Sequence, residues 1–260
     1  MYNPTEEWNK YFQTHNSSHK FKNLEKIKQT VEGEKTGNLI KRMLEYSEIK
    51  SLGKVLEVGF GSGKRSLAFA MLGFDVTAID CSDYIIANFN QTLKLGSEYL
   101  ANAKLKIVKT DAMNLNLNNN CFDLVFNEGV VEHWLEKKDR LKVIGEMYRV
   151  TKYNGTVGIT VPNGKHFLDW WWDLTKYPGF VQELPMFHYG YKELKKEMRD
   201  VGLKDVRIFG FQKNPWSFVN HWPRNIFFRY VTGGLKRLIP VTEKWNAILN
   251  IHLIGIGRKE

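Results

Sequence analysis

Between Lys54 and Ala70 the chain reads KVLEVGFGSGKRSLAFA, and few folds accommodate that stretch. Val55, Leu56 and Val58 form an apolar run of buried-strand length, and glycines follow at 59, 61 and 63. Leu67, Phe69, Ala70 and Leu72 then recur at roughly helical spacing, so the segment predicts a strand, a tight loop and a helix. Glycines let a backbone come close to a ligand, and the first turn of the following helix points free N–H groups at it. A nucleotide-like ligand suits such a loop. The dinucleotide fingerprint needs a third glycine three residues after the second, where this chain has Lys64. Instead Glu57 stands two residues before Gly59, and a carboxylate there repels a pyrophosphate but suits a cation.

The E-x-G-x-G-x-G arrangement resembles the first motif of the class I S-adenosylmethionine (SAM) dependent methyltransferases, whose acidic residue lies near the amino-acid end of SAM. The later segments agree in order. Asp75 to Ile79 predicts a second strand closing on Asp80, 21 residues after Gly59, where a carboxylate can accept both hydroxyls of a ribose. Cys81 follows, and Ser82 is placed to N-cap the next helix. Leu105 to Lys109 predicts a third strand, and Asp111, Ala112 and Met113 after it resemble the family's adenine-binding element. Phe122 to Asn127 predicts a fourth strand ending in Asn127-Glu128-Gly129, where the family keeps residues near the transferring methyl. The D/N/S-P-P-Y/F signature of exocyclic-amino methyltransferases is absent there, since the chain has Asn-Glu-Gly-Val, which disfavours nucleobase N-methylation. No cysteine follows the strand, which removes the covalent route to pyrimidine carbon-5.

Val130 to Trp134 resembles the EH element that follows the fourth strand in many small-molecule methyltransferases. His133 is a candidate general base, a cofactor hydrogen-bonding group or a helix cap. Asn154-Gly155 predicts a tight turn before a fifth strand at Thr156 to Val161. His188 and Tyr191 resemble the family segment ahead of the sixth strand and are further catalytic candidates. Asp205 to Phe211 predicts that strand, and Leu249 to Gly257 a seventh. Strands alternating with helices predict a parallel sheet.

The resemblance therefore implies an α/β fold: a seven-stranded, mostly parallel, doubly wound sheet with the last strand antiparallel, helices on both faces and aromatic cap insertions at about 162–190 and 212–247. Residues 1–35 would form an N-terminal lid, with Trp8, Tyr11 and Phe12 as candidate pocket walls, and residues 36–260 the methyltransferase domain. The implied cofactor is S-adenosyl-L-methionine, held by Glu57, Gly59, Gly61, Ser62, Gly63, Asp80, Cys81, Asp111, Ala112, Met113, Asn127 and Gly129, with no metal. The implied partner is a small-molecule acceptor, lipid-like or anionic, met by a monomer or homodimer.

Composition bounds the alternatives. With 38 Lys and Arg against 28 Asp and Glu, the formal net charge is +10, compatible with RNA, acidic lipid or a solvated lysine-rich surface. A nucleic-acid partner is disfavoured because no appended RNA-binding module is recognisable. Apolar and basic residues are mixed within 212–247, which leaves peripheral membrane contact open and keeps a non-catalytic, membrane-peripheral scaffold as an alternative beside an RNA-directed methyltransferase. Two cysteines, Cys81 and Cys121, fit neither a disulfide framework nor a metal spacing. The polar N-terminus and the lack of a long apolar run predict a soluble cytoplasmic protein.

Overall fold

The structure is a computed structural model, and it describes residues 4–14, 21–50, 52–164, 185–211 and 252–260. Residues 165–184 of the first expected cap, all of the second, and residues 249–251 of the seventh expected strand lie outside that set.

Three helices open the chain: α1 (Pro4–Thr14), α2 (Leu24–Lys35) and α3 (Asn38–Ser47). There follow β1 (Lys54–Val58), α4 (Lys64–Met71), β2 (Asp75–Asp80), α5 (Asp83–Leu95), β3 (Lys104–Lys109) and β4 (Phe122–Glu128). A 3₁₀ turn (Val131–His133), α6 (Lys137–Val150), β5 (Thr151–Pro162), α7 (Tyr191–Asp200), β6 (Lys204–Phe211) and β7 (His252–Arg258) complete it.

The seven strands form one sheet in the order β3-β2-β1-β4-β5-β7-β6. β1 pairs parallel with β2 and β4, β2 with β3, and β4 with β5, whereas β7 runs antiparallel to both β5 and β6. The strand order reverses between β1 and β4, and in open α/β sheets ligands bind beyond the carboxyl ends of the strands at such a switch point.

Side chains alternate across a strand, and this sheet is covered on both faces. One apolar cluster joins Val55, Leu124, Phe126 and Ile254 to Ile27 and Val31 of α2, Leu39, Ile40 and Met43 of α3, and Leu67 and Phe69 of α4. The other joins Leu56, Val58, Val125, Val157 and Leu253 to Val143, Ile144 and Met147 of α6 and Leu194 and Met198 of α7. Glu57 is in phase with Val55 and therefore faces α4; Glu128 is in phase with Phe126 and faces the same way. Asn127 faces α6.

Helix ends follow their sequence signals. Asn23 Oδ1 accepts from Lys26 N at 2.9 Å, and Ser82 Oγ accepts from Ile85 N, as expected of an N-cap. Gly73 after α4 takes φ +92°, and Phe74 N donates back to Phe69 O at 3.2 Å, the pattern that closes a helix on a left-handed residue. The fifth strand begins earlier than expected. Asn154-Gly155 is not a free turn but an irregularity inside β5, with Asn154 at φ +62° and a register shift between Phe122 and Leu124 on its partner. Lys259 explains why. Its backbone N donates to Gly155 O at 3.0 Å, and its buried ammonium donates to the carbonyls of Tyr148, Arg149 and Thr151, capping the end of α6 while it ties β5 to the C-terminus.

Candidate active site

A cleft of about 250 Å³ opens at the carboxyl ends of β1, β2 and β4 and over the segment after β3. Its floor is Gly59, Gly61, Ile79, Asp80 and Cys81, one flank is Thr110, Asp111 and Ala112, and the other is Glu128, Gly129, Val130 and Trp134. Trp8, Tyr11 and Phe12 of α1 complete the wall. Trp8 stacks on Phe12 at 4.9 Å and meets Tyr11 edge-on at 5.5 Å.

The loop backbone allows the close approach. Gly59, Gly61 and Gly63 all have positive φ, at +71°, +52° and +71°. A Cβ on Gly59 would stand 2.5 Å from Val130 Cγ2, and one on Gly63 would stand 2.1 Å from the Phe89 ring. Gly59 N and Phe60 N both donate to Ile79 O, which ties the loop to the tip of β2.

Asp80, buried beneath this loop, accepts from Gly61 N at 3.2 Å and Ser82 N at 3.0 Å. Burial raises its pKa, and the backbone amides of Ser82, Gly61 and Cys81 oppose the rise. Asp111 accepts from Met113 N at 2.8 Å and so shapes its own turn. Glu57 is buried; its Oε2 accepts from Ser66 N at 2.9 Å and from the Ser66 hydroxyl. Burial, partly offset by those Ser66 bonds, pushes it to about 8.

Of the residues expected from sequence, Gly59, Gly61, Asp80, Cys81, Asp111, Ala112 and Gly129 meet in this cleft, together with the three aromatic wall residues. Glu57, Ser62, Gly63, Met113 and Asn127 do not border it. Asn127 Nδ2 instead lies 3.3 Å from Met147 Sδ beneath α6.

Nor do the three catalytic candidates border it. His133 is buried against Trp8, ring centroids 4.6 Å apart and edge-on, and its Nδ1 lies 3.4 Å from Pro185 O. Burial lowers its pKa, so the ring is neutral at pH 7; a carbonyl partner selects the Nδ1–H tautomer. His188 is exposed and lies over Gly164, where an added Cβ would come 2.4 Å from His188 Cβ. Tyr191 opens α7, its hydroxyl 3.4 Å from Lys195 Nζ. The buried tyrosine of that segment is Tyr189, whose hydroxyl donates to Glu197 Oε2 at 2.5 Å. Glu197 also pairs with Arg140 at 2.9 Å, and the Arg140 guanidinium lies over the Phe187 ring at 3.6 Å.

Two acids escaped the sequence reading. Glu128 borders the cleft and is gripped by Arg65, Nε to Oε2 at 3.0 Å and Nη2 to Oε1 at 3.1 Å. Arg65 Nη1 also pairs with Glu34 of α2. Glu132, 2% exposed beside Gly129, is pushed by burial to about 8. The indicator for Glu128 was its place at the tip of β4, beside the switch point. Among the described residues no three His, Cys, Asp or Glu side chains converge as a metal site would need.

The donor set fits a SAM-like molecule. The left-handed glycines at 59 and 61 bring bare backbone to the cleft, carboxylates stand at the tips of β2 and β4 and after β3, and the buried Trp134 Nε1–H has no acceptor among the described residues. Residues 56–159 match the model of the methyltransferase domain family. Solved structures of the same fold include the Haemonchus contortus phosphoethanolamine N-methyltransferase 2 in complex with SAM, at 16% identity and a TM-score of 0.54 over 85% of this chain and 52% of that one. This chain thus spans about half of that protein. Others are a SAM-dependent methyltransferase of Thermotoga maritima described as a possible histamine N-methyltransferase (16% identity, TM-score 0.54, covering 88% and 98% of the two chains) and a SAM-dependent methyltransferase of Archaeoglobus fulgidus (19%, 0.56, 85% and 93%). The sequence matches no curated protein. Residues 56–159 are thus a methyltransferase domain by the family model, and the fold of the chain is the one seen in these SAM-dependent methyltransferase structures.

Proposed function

We propose that the cleft carries methyl transfer from SAM to a small-molecule acceptor with a substantial apolar surface, a lipid-like one included. The observation that carries this reading is the wall of Trp8, Tyr11, Phe12, Val130 and Trp134 around a floor of glycine backbone and carboxylates. A polar macromolecular substrate would gain little from such a wall, whereas an apolar molecule gains about 25 cal/mol for each Å² it buries there.

In this reading Asp80 accepts from the ribose hydroxyls, Asp111 and Ala112 serve the adenine, and the loop from Gly59 to Gly63 lies against the amino-acid portion. SAM supplies a methyl group made electrophilic by a sulfonium. The protein's part is to hold a nucleophile in line with it and to keep water out, an arrangement worth roughly 7–11 kcal/mol in well-oriented systems. His133, neutral and with Nε2 free of the Pro185 carbonyl, steadies Trp8 at the mouth, and α1 acts as a lid through that contact, while α2 belongs to the core rather than to the lid.

Calorimetric titration with S-adenosylhomocysteine, with NAD as control, tests the cofactor site. Transfer of label from SAM to a panel of apolar and anionic metabolites then tests the acceptor class. Transfer to RNA in preference to every small molecule would overturn the proposal.

A further inference from the structure

Of the acids on the β1 and β4 side of the cradle, Glu57 and Glu132 are buried and do not border the cleft, whereas Glu128 is placed to meet a positive charge in it. Glu57 has its carboxyl turned into α4, where Ser66 donates to it twice; it is 3% exposed and does not border the cleft. Held at about 8 by burial, it is also uncharged at pH 7, and a neutral carboxyl offers an ammonium ion no Coulombic attraction.

Glu128 is the reverse case. It borders the cleft at the tip of β4, and its side chain is 26% exposed. The bidentate grip of Arg65 fixes the carboxylate plane while leaving a lone pair on each oxygen for a further donor, since a carboxylate accepts at about four positions. Charge is in surplus on the acidic side as well. Glu34 and Glu128 share the single guanidinium of Arg65, which is buried. Lys64 also lies 3.7 Å from Glu34, with its side chain 39% exposed, where solvent weakens its pull.

The order of the strands decides which end of the ligand meets Glu128. Asp111 follows β3, Asp80 ends β2, the glycine loop follows β1 and Glu128 ends β4, in that spatial sequence across the sheet. A ligand with its adenosine at Asp111 and Asp80 has its other end at β4. We propose that Glu128 is the carboxylate that receives the ammonium group of the cofactor's amino-acid end, with Arg65 as its positioning residue, and that Glu57 is the structural acid that fastens β1 to α4. This rests on the SAM reading above.

The test compares S-adenosylhomocysteine with 5′-methylthioadenosine, which keeps the adenosine and the sulfur but lacks the amino-acid end. Titrations of the full chain should show Glu128→Gln binding S-adenosylhomocysteine about ten- to hundredfold more weakly, the weight of one charged hydrogen bond, with methylthioadenosine unaffected. Arg65→Lys should lower the same ratio by a smaller factor, whereas Glu57→Gln should leave the ratio where it is. A ratio unchanged in Glu128→Gln, or one lowered in Glu57→Gln, overturns the assignment. If Glu128→Gln loses both ligands, Glu128→Asp must restore the preference for S-adenosylhomocysteine, and its failure to do so also overturns it. Wild-type protein that binds neither ligand overturns the cofactor reading and this assignment with it.

Discussion

Asp80 performs two tasks with one carboxylate, and its removal separates them. Its oxygens accept from Gly61 N and Ser82 N, so they hold the loop as well as facing the cleft. Asp80→Ala orphans both donors, at about 1–3 kcal/mol for each that stays buried, and strips the ribose end of its acceptor. It should therefore weaken S-adenosylhomocysteine and methylthioadenosine together by at least tenfold (about 1.4 kcal/mol), unlike the change at Glu128. Equal affinity of wild type and variant for both ligands would remove Asp80 from the site. At this scale the sequence was readable where backbone and spacing decide: Gly59, Gly61, Gly129, Asp80, Asp111 and Ala112 all line the cleft. It was not readable where a long-range partner decides. Glu57 is conspicuous as an acid before a glycine loop, but its carboxyl is claimed by Ser66 on the next helix, and Glu128 acquires its orientation from Arg65, 63 residues away.

Among the elements, the unit from β1 to α5 depends most on single atoms. Gly63 caps α4 in the left-handed region with the Phe89 ring where its Cβ would be, while Gly73 has a φ of +92° and open space. Gly73→Ala should cost only the backbone strain, on the order of 1–3 kcal/mol, and Gly63→Ala that strain plus displacement of a buried ring. Thermal melts should rank them clearly, and a Gly63→Ala protein melting with or above Gly73→Ala would contradict the packing described. On the opposite face, α6 and α7 meet through Arg140, Glu197 and Tyr189, all buried. Glu197→Ala leaves a buried guanidinium without its anion and should destabilise by about 3–5 kcal/mol; a melt within a degree of wild type would show the pair to be dispensable. The sequence marks both helices by apolar spacing: Leu141, Ile144, Met147 and Val150 in α6, and Tyr191, Leu194 and Met198 in α7. The start of β5 it does not mark, because Asn154-Gly155 carries ordinary turn chemistry and only Lys259, more than a hundred residues later, converts it into a bulge.

Over the whole molecule, the buried acids set how stability responds to pH. Glu57 and Glu132 are each pushed by burial to about 8, against about 4.3 in an unfolded chain. Between those values the folded protein holds protons that the unfolded chain has released. Their stabilising contribution is complete below the unfolded pKa and is lost as pH rises toward 8, at up to about 1.4 kcal/mol per pH unit for each group. Burial raises Asp80 as well, which adds to the same trend. His133 and His252 act in the opposite direction: burial lowers both, so their contribution is lost as pH falls through the unfolded value of about 6.5. The ligand-free protein should therefore melt highest on the acid side of neutrality and lose stability steadily between about pH 6.5 and 8. Glu57→Gln is the informative variant, because a glutamine oxygen still accepts both Ser66 hydrogen bonds but has no proton to lose. Its melting temperature should fall less steeply over that interval, and an alkaline decline as steep as that of wild type would mean that Glu57 is not the buried neutral acid its surroundings make it.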